Sequence, residues 1–159
     1  MIKVISEVVG APEVRDRVLA LKPAILANTK TALDQWAEEL ASYIQRDKLS
    51  GNPVQARTGA LRDSINPIAE QEGDLITAGA GGGAGLDYAR AIEFGSRPHE
   101  IVPRRANFLR FEVDGRIVYT KHVNHPGNRP FRYMRGGFED MQPQGIEAIR
   151  AAVAEALTT

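Results

Sequence analysis

The chain has 159 residues, and its 20 Lys and Arg residues balance its 20 Asp and Glu residues, so the formal net charge is zero. This length is typical of one hydrophobic core, which predicts a single domain over residues 1–159. The absence of cysteine excludes disulfide bonds, thiolate metal sites and a cysteine nucleophile. No uncharged apolar run approaches the ~20 residues that cross a bilayer, which predicts a soluble protein with no membrane partner.

The N-terminal third is predicted to begin with a strand or arm and to continue as helices. Residues 1–10 are rich in Val and Ile, which predicts a strand or an N-terminal arm that adds to a sheet. Apolar residues recur every three or four positions over 12–49, and Pro23 predicts a break between a helix ending at Lys22 and a longer one over 24–49. Helices of this combined length exceed a compact domain, so we expect an overhang that contacts a neighbouring subunit.

The segment 66–123 is predicted to form a mostly antiparallel sheet. Strands are expected on both sides of Gly73, whereas the glycine-rich stretch 79–85 predicts a flexible loop. Short helices are expected near residues 58–65, with Thr58 as N-cap, and over 87–94, ended by Gly95.

A hairpin is the clearest local signal within this sheet. Asp114-Gly115 predicts a type I′ turn that places Val113 opposite Arg116 and Phe111 opposite Val118. The apolar side chains of one face are expected in the core; they are Leu109, Phe111, Val113 and Val118.

Helical spacing over 131–157 predicts C-terminal helices, and Gly136, Gly137 and Pro143 favour two pieces rather than one. Helices at both ends with strands between them predict an α+β fold, in which a long N-terminal helix and a C-terminal helix pack on the sheet. Trp36 is expected in the core. The aromatic group Phe131, Tyr133 and Phe138 either forms a partner surface or anchors the C-terminal helix.

The charges are distributed unevenly along the chain. Residues 90–135 contain ten basic and four acidic side chains, a net charge of +6, and the remaining residues have a net charge of −6. Nine of the ten are arginine, whose planar guanidinium binds carboxylate or phosphate. These arginines either form a solvated face that pairs with the acidic helices or face a partner. The candidates for a subunit-facing or DNA-facing surface are Arg97, Arg104, Arg105, Arg129 and Arg132.

No pattern indicates catalysis. The sequence lacks a GxSxG motif, and the adjacent carboxylates Glu38-Glu39 and Glu139-Asp140 are typical of solvated helix faces. Of the three histidines, His122 and His125 are expected on opposite sides of a strand, which disfavours a metal site that includes His99. We therefore predict no catalytic residue, no metal, no cofactor and no enzymatic activity.

Three stretches occur in an order and spacing that resemble a known family. They are Arg57-Thr-Gly-Ala-Leu-Arg-Asp-Ser-Ile65, then Tyr88-Ala-Arg-Ala-Ile-Glu-Phe-Gly-Ser96 with Ile101-Val-Pro103, then Val123-Asn-His-Pro-Gly127 with Arg129-Pro-Phe131. Together they resemble the neck or tail-completion (head–tail joining) proteins of long-tailed bacteriophages, over roughly residues 30–157. The matching motif positions, which we expect to define the fold, are Gly59, Glu93, Gly95, His125, Pro126, Gly127 and Phe131.

The resemblance implies a structural role in the virion, reached after assembly in the host cytoplasm. It implies a ring of identical subunits, commonly six, between the head connector and the tail tube. The implied partners are a head-closure or connector protein, a tail terminator or tail-tube protein, and genomic DNA that passes without sequence-specific contacts. The alternatives are a tail terminator or minor tail protein, a stand-alone nucleic-acid-binding module supported by the +6 segment, and, least favoured, a metal-dependent hydrolase.

Overall fold

The computed structural model describes residues 11–51 and 59–158, so the predictions for residues 1–10 and for Thr58 lie outside the described residues. The described chain has an α+β fold, as predicted, with a long N-terminal helix, a C-terminal helix and small antiparallel sheets. In chain order the elements are α1 (Ala11–Tyr43), which continues as a π-helical turn (Ile44–Lys48), α2 (Ala60–Asp63), β1 (Asn66–Glu72), β2 (Leu75–Gly81), α3 (Ala89–Phe94), β3 (His99–Ile101), β4 (Leu109–Val113), β5 (Arg116–Thr120), β6 (Val123–His125) and α4 (Tyr133–Thr158).

The core lies where α1 packs against α4 and β2. Trp36 is buried there, as predicted, and its indole N–H donates a 3.0 Å hydrogen bond to the carbonyl oxygen of Met141 in α4. This bond satisfies the only polar atom of the Trp36 side chain in an apolar environment. The other large buried side chains of this cluster are Leu33, Leu40, Ile44, Leu49, Leu61, Ile65, Tyr133 and Met141.

Both long helices continue through their prolines, so the predicted breaks at Pro23 and within 131–157 are wrong. A proline removes one helical hydrogen bond but does not force an end, and Pro23 and Pro143 occupy exposed positions where water can reach the freed carbonyl. The glycines of α4 serve packing instead. A Cβ atom at Gly145 would lie 2.8 Å from Cε2 of Trp36, so α1 and α4 approach more closely than alanine would allow.

Gly136 and Gly137 are adjacent in α4, yet we expect opposite responses to alanine. A Cβ at Gly136 would be 3.9 Å from Arg132 and 4.0 Å from Lys48, so Gly136→Ala should raise the free energy of unfolding by about 1 kcal/mol through helix propensity. A Cβ at Gly137 would lie 2.5 Å from Cγ1 of Ile44, so Gly137→Ala should lower it by about 1–3 kcal/mol. Urea unfolding measures both changes, and a stabilising Gly137→Ala would contradict this helix packing.

The strands form three separate two-stranded antiparallel sheets, β1–β2, β3–β6 and β4–β5, rather than the single sheet predicted over 66–123. The β1–β2 hairpin turns at Gly73, as predicted, and lies on α1 through the alternate side chains Ile76, Ala78 and Ala80. The predicted flexible loop 79–85 is wrong in its first half, because residues 79–81 belong to β2. Its next residue, Gly82, lies against the backbone of Ser64.

The β4–β5 hairpin has the predicted turn and register. Asp114 and Gly115 both have positive φ, as a type I′ turn requires, and Phe111 pairs with Val118. The prediction that one face is core is wrong, because Phe111 and Val113 are 37% and 46% exposed. The hairpin makes its main contacts between its own two strands and extends from the body of the protein.

The N-terminal end of α1 also extends from the body, which agrees with the predicted overhang. Residues 12–20, which we call the projecting segment, are exposed at every position, and Val14 and Val18 are each 61% exposed. Lys22 marks the boundary, because its Nζ pairs at 2.5 Å with Asp74 in the β1–β2 turn. At 1.5 Å per residue the 33-residue α1 is about 50 Å long, more than β1–β2 and α4 can cover.

Candidate assembly surface

Glu93, in the last turn of α3, holds the beginning of α4. This residue is 5% exposed, and its two carboxylate oxygens accept hydrogen bonds from the backbone N–H groups of Met134 at 2.9 Å and Arg135 at 3.2 Å. The Nε of Arg135 donates a third bond at 3.1 Å. A helix N-terminus has free N–H donors and a positive dipole end, and a buried carboxylate satisfies both. Burial raises the pKa of nearby Tyr133, and the Glu93 charge adds to this increase.

Gly95 and Gly127 allow two loops to touch through their backbones. Gly95 has φ +79° and Gly127 has φ +82°, and a Cβ at Gly127 would overlap the carbonyl oxygen of Ser96. The Ser96 and Asn128 backbones exchange hydrogen bonds of 2.9 and 3.1 Å between these loops. The Asn128 side chain also donates at 2.8 Å to the carbonyl of Ala91. Sequence reasoning missed this role of Ser96 and Asn128; their positions next to the two glycines were the available signal.

The structure places most of the other motif residues at the same junction. His125 accepts a 3.0 Å hydrogen bond at Nδ1 from the N–H of Gly127, and Pro126 lies between them. The N–H of Phe131 donates at 2.9 Å to the carbonyl of Ile92, which fixes the entry into α4. We call this group the motif junction: Glu93, Gly95, His125, Pro126, Gly127 and Phe131. Gly59 is separate, at the start of α2, where its positive φ of +74° and its carbonyl begin that turn.

The aromatic side chains near the start of α4 divide between the core and the surface. Tyr133 is 3% exposed and belongs to the core, so it anchors α4. Phe138 contacts the Trp36 ring edge-on at 5.8 Å but remains 40% exposed. The Phe131 ring lies 5.8 Å from the guanidinium of Arg129. The anchoring role is therefore confirmed for Tyr133, and a partner surface at Phe131 and Phe138 stays a prediction.

Most of the basic side chains between residues 90 and 135 have no carboxylate partner among residues 11–51 and 59–158. The two exceptions are Arg132, paired with Glu139 at 2.5 Å, and Arg135, paired with Glu93. Arg132 also has a positive φ of +53° at the start of α4. Between residues 90 and 135, the described cations outside any ion pair are Arg90, Arg97, Arg104, Arg105, Arg110, Arg116, Lys121 and Arg129.

The predicted surface arginines fall into two groups. Arg97 and Arg129 directly follow Ser96 and Asn128, so they flank the backbone bridge at the motif junction, and both are exposed. Arg104 and Arg105 are exposed in the loop that leads into β4. We call residues 102–121, which comprise this loop and the β4–β5 hairpin, the basic arm. Its strongly exposed apolar side chains include Val102, Phe108, Ile117 and Tyr119.

A groove of about 600 Å³ lies between the C-terminal half of α1 and the middle of α4. The sequence predicts that Glu38 and Glu39 lie on a solvated helix face, and the groove forms only because α4 packs beside α1. We call it the acidic groove, because neither glutamate has an ion-pair partner in the described part of the chain. Its lining comprises Gln35, Glu38, Glu39, Ser42 and Tyr43 of α1, Arg46 of the π-helical turn, and Met141 and Gln144 of α4. The Arg46 guanidinium is already paired with Asp47 at 3.0 Å, so it does not compensate the two glutamates.

A third carboxylate near the groove is compensated. Tyr43 Oη donates to Oδ2 of Asp140 at 2.8 Å, and Lys48 Nζ lies 2.6 Å from the same oxygen. The bonds from Lys48 and Tyr43 hold the pKa of Asp140 below its ordinary value, and the bond to Asp140 raises the pKa of both partners. The uncompensated charge of this region therefore resides on Glu38 and Glu39.

The three histidines do not converge. His99 and His125 pair across β3–β6 with ring centres 5.0 Å apart. Within residues 11–51 and 59–158, no group of three or more His, Cys, Asp or Glu side chains could hold a metal ion. None of the helices in these ranges is long and apolar enough to cross a membrane.

No family model, curated protein or solved structure matches the chain. The functional proposal therefore depends on the motif stretches and on the surfaces described above.

Proposed function

We propose that this protein is a structural subunit of the neck of a long-tailed bacteriophage, where it joins the head connector to the tail tube as a ring of identical copies. The observation that carries the proposal is that the projecting segment and the basic arm both leave the body and expose large apolar side chains. Contiguous exposed apolar surface is typical of a protein that completes its contacts in an assembly. The three motif stretches resemble those of phage neck proteins, and this resemblance indicates which assembly the protein joins.

The motif junction supports the same proposal. Its residues hold α3, the two loops and α4 in one arrangement, so they have a clear structural reason to recur together. This role requires no catalytic residue and no cofactor. The ring, commonly of six copies in the proteins that the chain resembles, binds a head-closure or connector protein on one side and a tail terminator or tail-tube protein on the other.

Genomic DNA passes through the ring without sequence-specific contacts in this proposal. Arg97 and Arg129 are the candidate DNA-facing cations, because both are exposed and neither is paired with a described carboxylate. Phosphate attraction from a few arginines holds a duplex weakly, and salt reduces it. Weak contacts also suit a conduit through which DNA must move.

A phage with a nonsense codon in this gene tests the proposal. We expect DNA-filled heads and separate tails of normal length to accumulate, and the purified protein to join them when it is added to the lysate. Electron microscopy of the joined particles should place a ring at the neck. Normal virions from the mutant would refute the proposal, and tails of uncontrolled length would instead indicate a tail terminator.

A further inference from the structure

The basic arm is a surface that nothing in the described chain covers. Its two strands pair mainly with each other, and its five cations, Arg104, Arg105, Arg110, Arg116 and Lys121, have no ion-pair partner among residues 11–51 and 59–158. A two-stranded hairpin is marginally stable in water without a covering surface. Binding to a partner surface would therefore both cover the apolar side chains of the basic arm and neutralise its unpaired cations.

The acidic groove has complementary properties. Glu38 and Glu39 present two uncompensated carboxylates on one side, and Met141 contributes an apolar side chain from α4. Its volume of about 600 Å³ accommodates several side chains of an inserted loop. Guanidinium groups bind carboxylates through two parallel hydrogen bonds, which favours arginine as the inserted residue.

Charge complementarity selects a second copy of the chain as the occupant. The excess of +6 over residues 90–135 is matched by −6 elsewhere in the same chain, so identical copies satisfy each other without an external partner of opposite charge. DNA would neutralise the arm but would leave Glu38 and Glu39 uncompensated. A contact between two different surfaces of identical subunits is also the kind that closes a ring.

We propose that the basic arm of one copy enters the acidic groove of the next copy, where Arg104 and Arg105 pair with Glu38 and Glu39. This contact rests on the proposed ring and specifies which two surfaces form it. Because the pairs are partly solvated, the contact weakens as salt increases.

Disulfide cross-linking tests the contact directly, because the chain contains no cysteine of its own. Copies carrying Ser42→Cys, in the groove, are mixed with copies carrying Ala106→Cys, beside Arg105, under mild oxidation. We expect a cross-linking rate at least about tenfold above that of a control pair, Gln71→Cys with Ala106→Cys, at low salt. Gln71 is exposed on β1 and lies outside the groove. Equal rates for the two pairs would overturn the proposal.

Charge reversal provides a second test of the contact. Glu38→Arg with Glu39→Arg in the groove copy, or Arg104→Glu with Arg105→Glu in the arm copy, should each return the cross-linking rate to the control level. Reversal on both sides should restore it, because the opposite charges again face each other. All four positions are exposed, so these variants are expected to fold, and circular dichroism checks this. Failure of the double reversal to restore the rate would also reject the pairing.

The outcome is separable from the proposed function. If heads and tails join but the Ser42–Ala106 cross-link is no faster than the control, the groove contact is wrong and the neck role stands. If the cross-link forms but the nonsense mutant makes normal virions, the contact stands and the neck role fails. If cross-linking equals the control and Arg104→Glu with Arg105→Glu abolishes binding to a short DNA duplex, DNA is the occupant of the arm.

Discussion

Glu93→Ala is expected to lower the free energy of unfolding by about 3 kcal/mol. The substitution removes the carboxylate of a buried residue, and it leaves the N–H groups of Met134 and Arg135 without their acceptor at the start of α4. It also removes a favourable charge from the positive end of the helix dipole. Glu93→Gln should cost less, because one amide oxygen can still accept a hydrogen bond while the amide N–H₂ group opposes the backbone donors.

Glu139→Ala is the matched control for Glu93→Ala. Glu139 also pairs with an arginine near the start of α4, at 2.5 Å from Arg132, but both side chains of that pair are about half exposed. Solvent-exposed ion pairs contribute about 1 kcal/mol or less, so the control should change stability little. Urea unfolding followed by far-ultraviolet circular dichroism measures all three variants. Similar small losses for Glu93→Ala and Glu139→Ala would show that burial of Glu93 does not hold α4 in place.

Gly127→Ala is expected to lower the free energy of unfolding by about 3 kcal/mol or more, from two additive causes. Its φ of +82° costs an alanine about 1–2 kcal/mol. In addition, the new methyl group would overlap the carbonyl oxygen of Ser96 and lie 2.8 Å from the carbonyl carbon of Arg97. Because these are backbone atoms, the loops must separate, and the Ser96–Asn128 hydrogen bonds are lost with them.

Gly85→Ala separates the two causes. Gly85 has a similar φ of +74°, but no atom lies within 4 Å of the position that a Cβ would occupy. It should therefore show only the conformational cost, about 1 kcal/mol. The difference between the two variants, measured by thermal and urea unfolding, reports the contact between the loops. Equal losses would mean that the motif junction accepts a methyl group and that Gly127 is needed only for its backbone conformation.

Local chemistry allowed the hairpin to be predicted, and tertiary packing decided where its side chains lie. Asp114-Gly115 determines both turn type and register, because few residues tolerate two successive positive φ angles. Whether Phe111 is buried depends on what covers the hairpin, and alternation along a strand does not contain that information. The helix breaks at Pro23 and near Gly137 were wrong for a related reason: proline and glycine lower helix propensity locally, but contacts along α1 and α4 determine whether the helix continues.

Some residues of the candidate surface could likewise be predicted from the sequence, whereas their contacts could not. The seven motif positions and five arginines could be selected from the sequence, because glycine, proline and arginine have distinctive conformational and charge properties. The pairing of Glu93 with the start of α4 joins residues about 40 positions apart, and no local pattern predicts it. The acidic groove likewise exists only because Met141 of α4 lies beside Glu38 and Glu39 of α1.

The amino-acid sequence is therefore sufficient to predict the α+β class, the hairpin register, the uneven charge and the candidate motif and arginine positions. These properties depend on composition and on residues that are close in sequence, so they can be read from the sequence alone. Tertiary packing determines that the helices continue and that the strands form three small sheets. It also leaves eight cations of residues 90–135, and Glu38 and Glu39 in the groove, without an ion-pair partner among the described residues. Burial and charge pairing depend on residues distant in sequence, so they are settled only when the elements pack together.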